Sequence, residues 1–174
     1  MRILKTLNVH PRRTIRLAIW SGEEEGLFGS KAYVEQHLAK DSIARNALSV
    51  YLNDDPGTGN TYGFYAENNP GAKAIFDAWL EPLKEIGMKK NVIGGIPSTD
   101  HLSFAPVGVP AFTAIKDYKN YDTREHHTNV DFYERVDEAS LTQSAIVMAV
   151  FAYHAAMRDQ KFPRMPVSSR GGDR

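Results

Sequence analysis

Apolar positions along the chain fall into short runs whose spacing alternates between two and about 3.6 residues. Residues 14–20 (TIRLAIW) place Ile15, Leu17 and Ile19 in alternation, and Ala18 and Trp20 beside them are also apolar. A run apolar on both sides predicts a strand buried on both faces, as in a sheet covered by helices. From 27 to about 40, the spacing of Leu27, Ala32, Val34, His37 and Leu38 is loosely helical. Residues 48–52 (LSVYL) predict a second buried strand, ending in Asn53-Asp54-Asp55-Pro56-Gly57, and 62–65 predict a short added strand. Pro70-Gly71 opens an amphipathic helix on which Ala72, Ile75, Phe76, Trp79, Leu80 and Leu83 share one face, with Phe76 and Trp79 expected in the core. A loop rich in Gly, Pro and Ser follows at 94–100, and 109–115 (VPAFTAI) predict a third core strand. The stretch 117–131 is polar and has no clean period. Asp137 or Ser140 can cap a last helix running to about Met157, with Leu141, Ile146, Val150 and Tyr153 among its apolar positions.

Strands alternating with helices predict an α/β fold: a three-layer α/β/α sandwich with a mostly parallel sheet. The 174 residues suit one domain. Residues 1–162 are read as part of that domain and 163–174 as a tail, frayed at 168–174 (SSRGGDR). The 21 basic and 21 acidic side chains cancel, so no global field would draw the protein to nucleic acid or an acidic membrane. There is no cysteine, which removes thiolate metal sites, disulfides and cysteine nucleophiles. No apolar run in the sequence approaches the roughly 20 residues of a membrane span. The first residues lack the apolar stretch and cleavage site of a signal peptide.

In such sheets, sites form beyond the carboxyl ends of the strands. Three polar clusters stand there: Glu23-Glu24-Glu25, Asp54-Asp55, and His126-His127. Each has an ordinary reading by itself, as a helix start, a turn or a polar loop. Together, carboxylates and imidazoles after three successive core strands suit zinc. Adjacent glutamates at a strand end diverge, so one can bind a metal while its neighbour addresses a metal-bound water.

The run Trp20-Ser21-Gly22-Glu23-Glu24-Glu25-Gly26-Leu27-Phe28-Gly29-Ser30 resembles the Glu-Glu-x-Gly-Leu-x-Gly-Ser signature of the co-catalytic zinc aminopeptidases. That family includes bacterial leucyl aminopeptidases, glutamate carboxypeptidase II and carboxypeptidase Q. Residues 51–59 (YLNDDPGTG) resemble its second-strand metal segment, closest to the carboxypeptidase Q branch. Residues 98–104 (STDHLSF) are similar to its Ser-Asp-His-x-x-Phe loop, Gly108-Val109-Pro110 to the Gly-x-Pro before its last core strand, and 127–131 (HTNVD) to its His-Thr-x-x-Asp ending. The resemblance runs from about 12 to 160.

By this resemblance, Glu23 would be the general base acting on a metal-bridging water. Glu24 and His127 would ligate one zinc, and Asp55 the second; Asp54 is the rival, although the register through Gly57-Thr58 favours Asp55. Asp100 and His101 would line the substrate pocket or orient ligands, and His126 would face substrate or support a ligand. Glu25 has no family role. Two zinc ions and a peptide or dipeptide substrate are implied. The implied reaction is hydrolysis of a terminal peptide bond, with a glutaminyl cyclase-like single-zinc enzyme or a non-catalytic binding domain as the alternatives. Such enzymes are often secreted or periplasmic.

The family's remaining ligands, a histidine in a His-x-Asp segment and an aspartate bridging both metals, lie upstream of its Glu-Glu pair. Residues 1–22 contain no aspartate, and their one histidine, His10, lacks that pattern. The chain is therefore expected to be the C-terminal part of a longer enzyme, with 1–7 the tail of a preceding helix. Alone it should hold zinc at reduced occupancy and be nearly inactive, unless a second chain, such as another copy, completes the site.

Overall fold

The computed structural model describes residues 1–165, and the expected frayed end at 168–174 lies outside them. A short helix α1 (Arg2–Thr6) precedes an irregular segment. Helix α2 (Phe28–Val34) runs on into a π-helical turn (Glu35–Ala39), and α3 (Ser42–Ala47) is capped by the Asp41 carboxylate, which accepts from the Ile43 and Ala44 amides. Strands β1 (Tyr51–Asn53) and β2 (Thr61–Phe64) follow. Helix α4 (Pro70–Leu80) starts with Pro70 in its first turn, and the Asn69 side chain accepts from the Ala72 amide. It tightens into a 3₁₀ turn (Glu81–Ile86) at Pro82, which cannot donate to the helix ladder. Strand β3 (Ala111–Lys116) and helix α5 (Glu138–Met157), capped by Asp137 at the Ser140 amide, complete the order.

The sheet runs β1-β3-β2, with β1 parallel and β2 antiparallel to β3. It is mixed rather than mostly parallel, because the short added strand at 61–64 returns along β3. Alternation along β3 divides the core. Phe112 and Ala114 join Phe64, Phe76, Trp79, Val147, Phe151 and Phe162 beneath α4 and α5 on one face. Ala111 joins Val34, Leu38, Phe104 and Val109 beneath α2 on the other. The result is helix, sheet and helix in three layers. Helix α5 is long and apolar enough to cross a membrane by length and composition alone, but polar residues interrupt it, and Val147, Phe151 and Ala155 are core residues of this domain. Pro163 and Arg164, read as tail, are docked: the Pro163 carbonyl accepts from Asn69, and the Arg164 guanidinium donates to the carbonyls of Gly108, Arg45 and Leu48.

Residues 14–20 do not form the buried strand expected of them. They make no backbone hydrogen bond among the described residues, and Leu17 and Ile19 are 69% and 86% exposed. The segment is pinned at its ends instead. Arg13 donates to carbonyls at the end of α5, Arg12 pairs with Asp159, and Trp20 packs on Tyr33, Tyr51 and Phe104. An alternating apolar pattern needs a strand beside it to become a strand, and β1 is hydrogen-bonded to β3 alone.

Candidate functional site

The loop 21–29 turns sharply to carry Glu23 and Glu24. Gly22 and Gly26 take positive φ, and the Phe28 and Gly29 amides donate back to the Gly22 and Ser21 carbonyls at 2.9 Å. A Cβ on Gly29 would stand 2.7 Å from the Ser21 carbonyl oxygen, so α2 can start this close to the loop only with glycine there. Ser30 is fully buried and shares a 2.7 Å hydrogen bond with Ser103, which ties this loop to the 98–104 loop.

The loop at the other side closes in a type II turn. His126 (φ −53°, ψ 119°) and His127 (φ 57°) are its central residues, and the Thr128 amide donates to the Glu125 carbonyl at 3.0 Å. The turn brings His127 Nε2 to 2.5 Å from Glu24 Oε2, across 103 residues of sequence. A donor atom of His126 joins them, so that Glu24, His126 and His127 each offer one ligand atom within 4.8 Å of the others. All three side chains are exposed. Their donors, one carboxylate and two imidazoles, are those zinc takes.

Asp54 and Asp55 diverge. Asp54 pairs with Lys116 Nζ at 3.3 Å, whereas Asp55 Oδ2 accepts from Thr99 Oγ1 at 2.5 Å. Behind Asp55 runs an unbroken chain of donors. Trp20 Nε1 donates to the Tyr51 hydroxyl at 3.0 Å, Tyr51 to Asn53 Oδ1 at 2.7 Å, and Asn53 Nδ2 to Thr99 Oγ1 at 2.7 Å. It leads from the residue before the glutamate loop to the carboxylate of Asp55. Asp55 lies outside the Glu24–His126–His127 group but within its field.

The electrostatics are those of crowded carboxylates. Burial, then Asp55, Glu24 and Asp100, push Glu23 up to about 7, with His127 pulling the other way. A cation bound alongside would draw it back down. Burial likewise raises Asp100, which is 6% exposed and has one oxygen, Oδ1, without a hydrogen-bond partner. His101 is 1% exposed; its Nε2 is 3.1 Å from Glu67 Oε1, and its Nδ1 has no partner. Burial and the charges of Asp55 and Glu24 push the Tyr121 hydroxyl up to about 12, and its ring stacks on His126 at 4.9 Å.

Glu23, Glu24, Asp55, Asp100, His126 and His127 therefore share one region. His101 faces Glu67 instead. Glu67, Thr99, Asn53, Tyr51 and Tyr121 were missed from the sequence. Thr99 stood within the 98–104 motif, whereas Tyr121 lies in the stretch without periodicity and gave no signal. A shallow depression of about 670 Å³ beside Asn60, Ile86, Gln143 and Ile146 is lined by none of these groups.

The family model described as Peptidase family M28 matches residues 1–152. Carboxypeptidase Q of Mus musculus is 30% identical over 164 residues, which are 94% of this chain and 34% of that protein. A probable leucine aminopeptidase of Arthroderma otae is 24% identical over 143 residues, 82% of this chain and 39% of the relative. The crystal structure of a peptidase M28 precursor from Shewanella amazonensis superposes with a TM-score of 0.78 at 25% identity, covering 91% of this chain and 35% of that one. A zinc aminopeptidase from Bacillus subtilis shares the fold, with a TM-score of 0.69 at 24% identity over 92% of this chain and 40% of that one. The chain thus spans about a third of the length of the carboxypeptidase Q relative. With the family model matched over 1–152 of its 174 residues, the chain belongs to peptidase family M28.

Proposed function

We propose that this chain is the part of a zinc-dependent exopeptidase that carries the general base and several metal ligands. The observation that carries the reading is the Glu24–His127 contact made across 103 residues of sequence, with Glu23 beside it in the field of Asp55, Glu24 and Asp100. Glu24 and His127 would hold one zinc and Asp55 a second; the ion pair of Asp54 with Lys116 supports Asp55 as the ligand of the doublet. Zinc bound there supplies a Lewis acid that acidifies water and polarises a carbonyl. Glu23 takes the proton of the attacking water and returns it to the leaving amine. Asp100, with an unsatisfied oxygen in a buried position, orients these groups or receives a polar group of the substrate. Tyr121 presents its hydroxyl to the same acidic cluster. The substrate class is a peptide or dipeptide cleaved at a terminal bond, as the names of the carboxypeptidase and aminopeptidase relatives suggest.

The test is release of free amino acid from dipeptides by a protein holding these 174 residues together with an upstream family segment that supplies both the His-x-Asp histidine and the bridging aspartate. Glu23→Gln should lower kcat by about 10²–10⁴-fold with zinc retained, the range of general acid–base catalysis. An unchanged rate would overturn the assignment, and pyroglutamate in place of free amino acid would mark a cyclase instead. The 174-residue chain alone should be close to background.

A further inference from the structure

The turn at 126–127 carries a consequence for the chain on its own. The second central residue of a type II turn takes positive φ, a place for glycine or asparagine, yet here it is His127 at φ 57°. A residue other than glycine held there costs of order 1–3 kcal/mol, and such outliers gather at ligand clamps. What the conformation achieves is the side-by-side placement of two consecutive imidazoles, with ring centroids 3.8 Å apart. The Tyr121 ring, stacked on His126, supports the pair from behind.

We infer that this chain binds one zinc ion by itself, through a carboxylate oxygen of Glu24 and one ring nitrogen each of His126 and His127. This rests on the zinc reading above and changes its ligand set: His126 coordinates, and Asp55 is dispensable for this ion. Bond lengths of about 2.0–2.1 Å place tetrahedral donors roughly 3.4 Å apart. The His127–Glu24 contact of 2.5 Å must therefore open by less than an ångström, and donors as far apart as 4.8 Å must close by little more. Exposed side chains at the tips of two loops can make both adjustments by small rotations. Three protein donors leave a fourth position to water, the arrangement of a catalytic rather than a structural zinc. Asp55, engaged by Thr99, does not belong to the donor group.

The test uses the full 174-residue chain, with zinc affinity measured by competition against a chromophoric chelator and coordination read from the visible absorption of cobalt(II). The expected result is one metal per chain and the strong absorption of four-coordinate cobalt. His126→Gln should weaken zinc by more than the roughly 10–100-fold that loss of a group supporting a ligand costs, and should alter the cobalt spectrum. Glu24→Ala and His127→Ala should do the same, whereas Asp55→Asn should leave both readouts unchanged. Unaltered folding of each variant is checked by circular dichroism. A cobalt spectrum that survives His126→Gln but is lost in Glu24→Ala and His127→Ala would overturn the proposal while sparing the zinc reading. Absence of any bound metal in the unsubstituted chain would also overturn it, leaving the exopeptidase assay to decide the function separately.

Discussion

Two apolar regions of this molecule look alike in sequence and end differently in the fold. Phe64, Phe76, Trp79, Phe112, Phe151 and Phe162 interlock beneath α4 and α5, with Phe64 and Phe151 stacked at 4.5 Å and Phe76 edge-on to Phe112 at 5.0 Å. Leu17 and Ile19, equally regular in spacing, stand in solvent. The difference lies in the neighbours. The aromatic cluster draws on β2, α4, β3 and α5, so each ring meets others from distant parts of the sequence. Residues 14–20 have anchors at their two ends and, among the described residues, no backbone partner along their middle. Apolar alternation thus states what a segment requires, and only the surrounding chain decides whether it is met.

The aromatic cluster is most vulnerable at Phe76. Phe76→Ala should destabilise by about 3–5 kcal/mol, the cost of emptying a large aromatic site, read from urea unfolding. Little change would mean that the cluster is not the core of the domain. Next comes the anchor of the exposed segment: Gly29→Ala puts a methyl 2.7 Å from Ser21 and 3.3 Å from the Trp20 side chain. It should cost roughly 1–3 kcal/mol, as overpacking does, and shift Trp20 fluorescence.

A smaller effect, of known sign, is expected from pH. In the metal-free protein Glu23 keeps its proton up to about pH 7, whereas unfolded it loses it near 4.5. The folded state binds more protons between those values, so stability falls as pH rises from 4.5 to 7. Glu23→Gln should flatten part of that slope in unfolding midpoints, Asp100 supplying the rest. The smallest effect is expected at the exposed segment: Leu17→Ser with Ile19→Ser should change stability by no more than about 0.5 kcal/mol. A loss of several kcal/mol would show that these side chains are buried in solution.

Much of the fold was legible because local and tertiary demands agreed. Asn69-Pro70 starts α4 where its apolar face begins, and Asp137 starts α5. Residues 109–115 anticipated β3 to within two residues. Where the sequence misled, as at 14–20, the missing information was the identity of a neighbour. In the candidate site, the carboxylates at 23–24 and 54–55 and the paired histidines stood out by residue type. Thr99, Asn53 and Tyr51 did not, since their importance is that they stand in line behind Asp55. Glu67 was equally silent: a left-handed backbone at φ 49° aims it at a histidine 34 residues away.

That carboxylate carries a constraint across generations. Glu67 lies against the α-carbon of Gly95 so closely that a Cβ there would fall 2.1 Å from one of its oxygens. The constraint runs one way, because residue 67 can shorten while Gly95 stays. A lineage that acquires a side chain at 95 must first, or at once, shorten or redirect residue 67, and His101 then loses its acceptor. A side chain at 95 should therefore be met by a turn of the Glu67 carboxylate or by a shorter residue at 67, and His101 is the group left without its present partner.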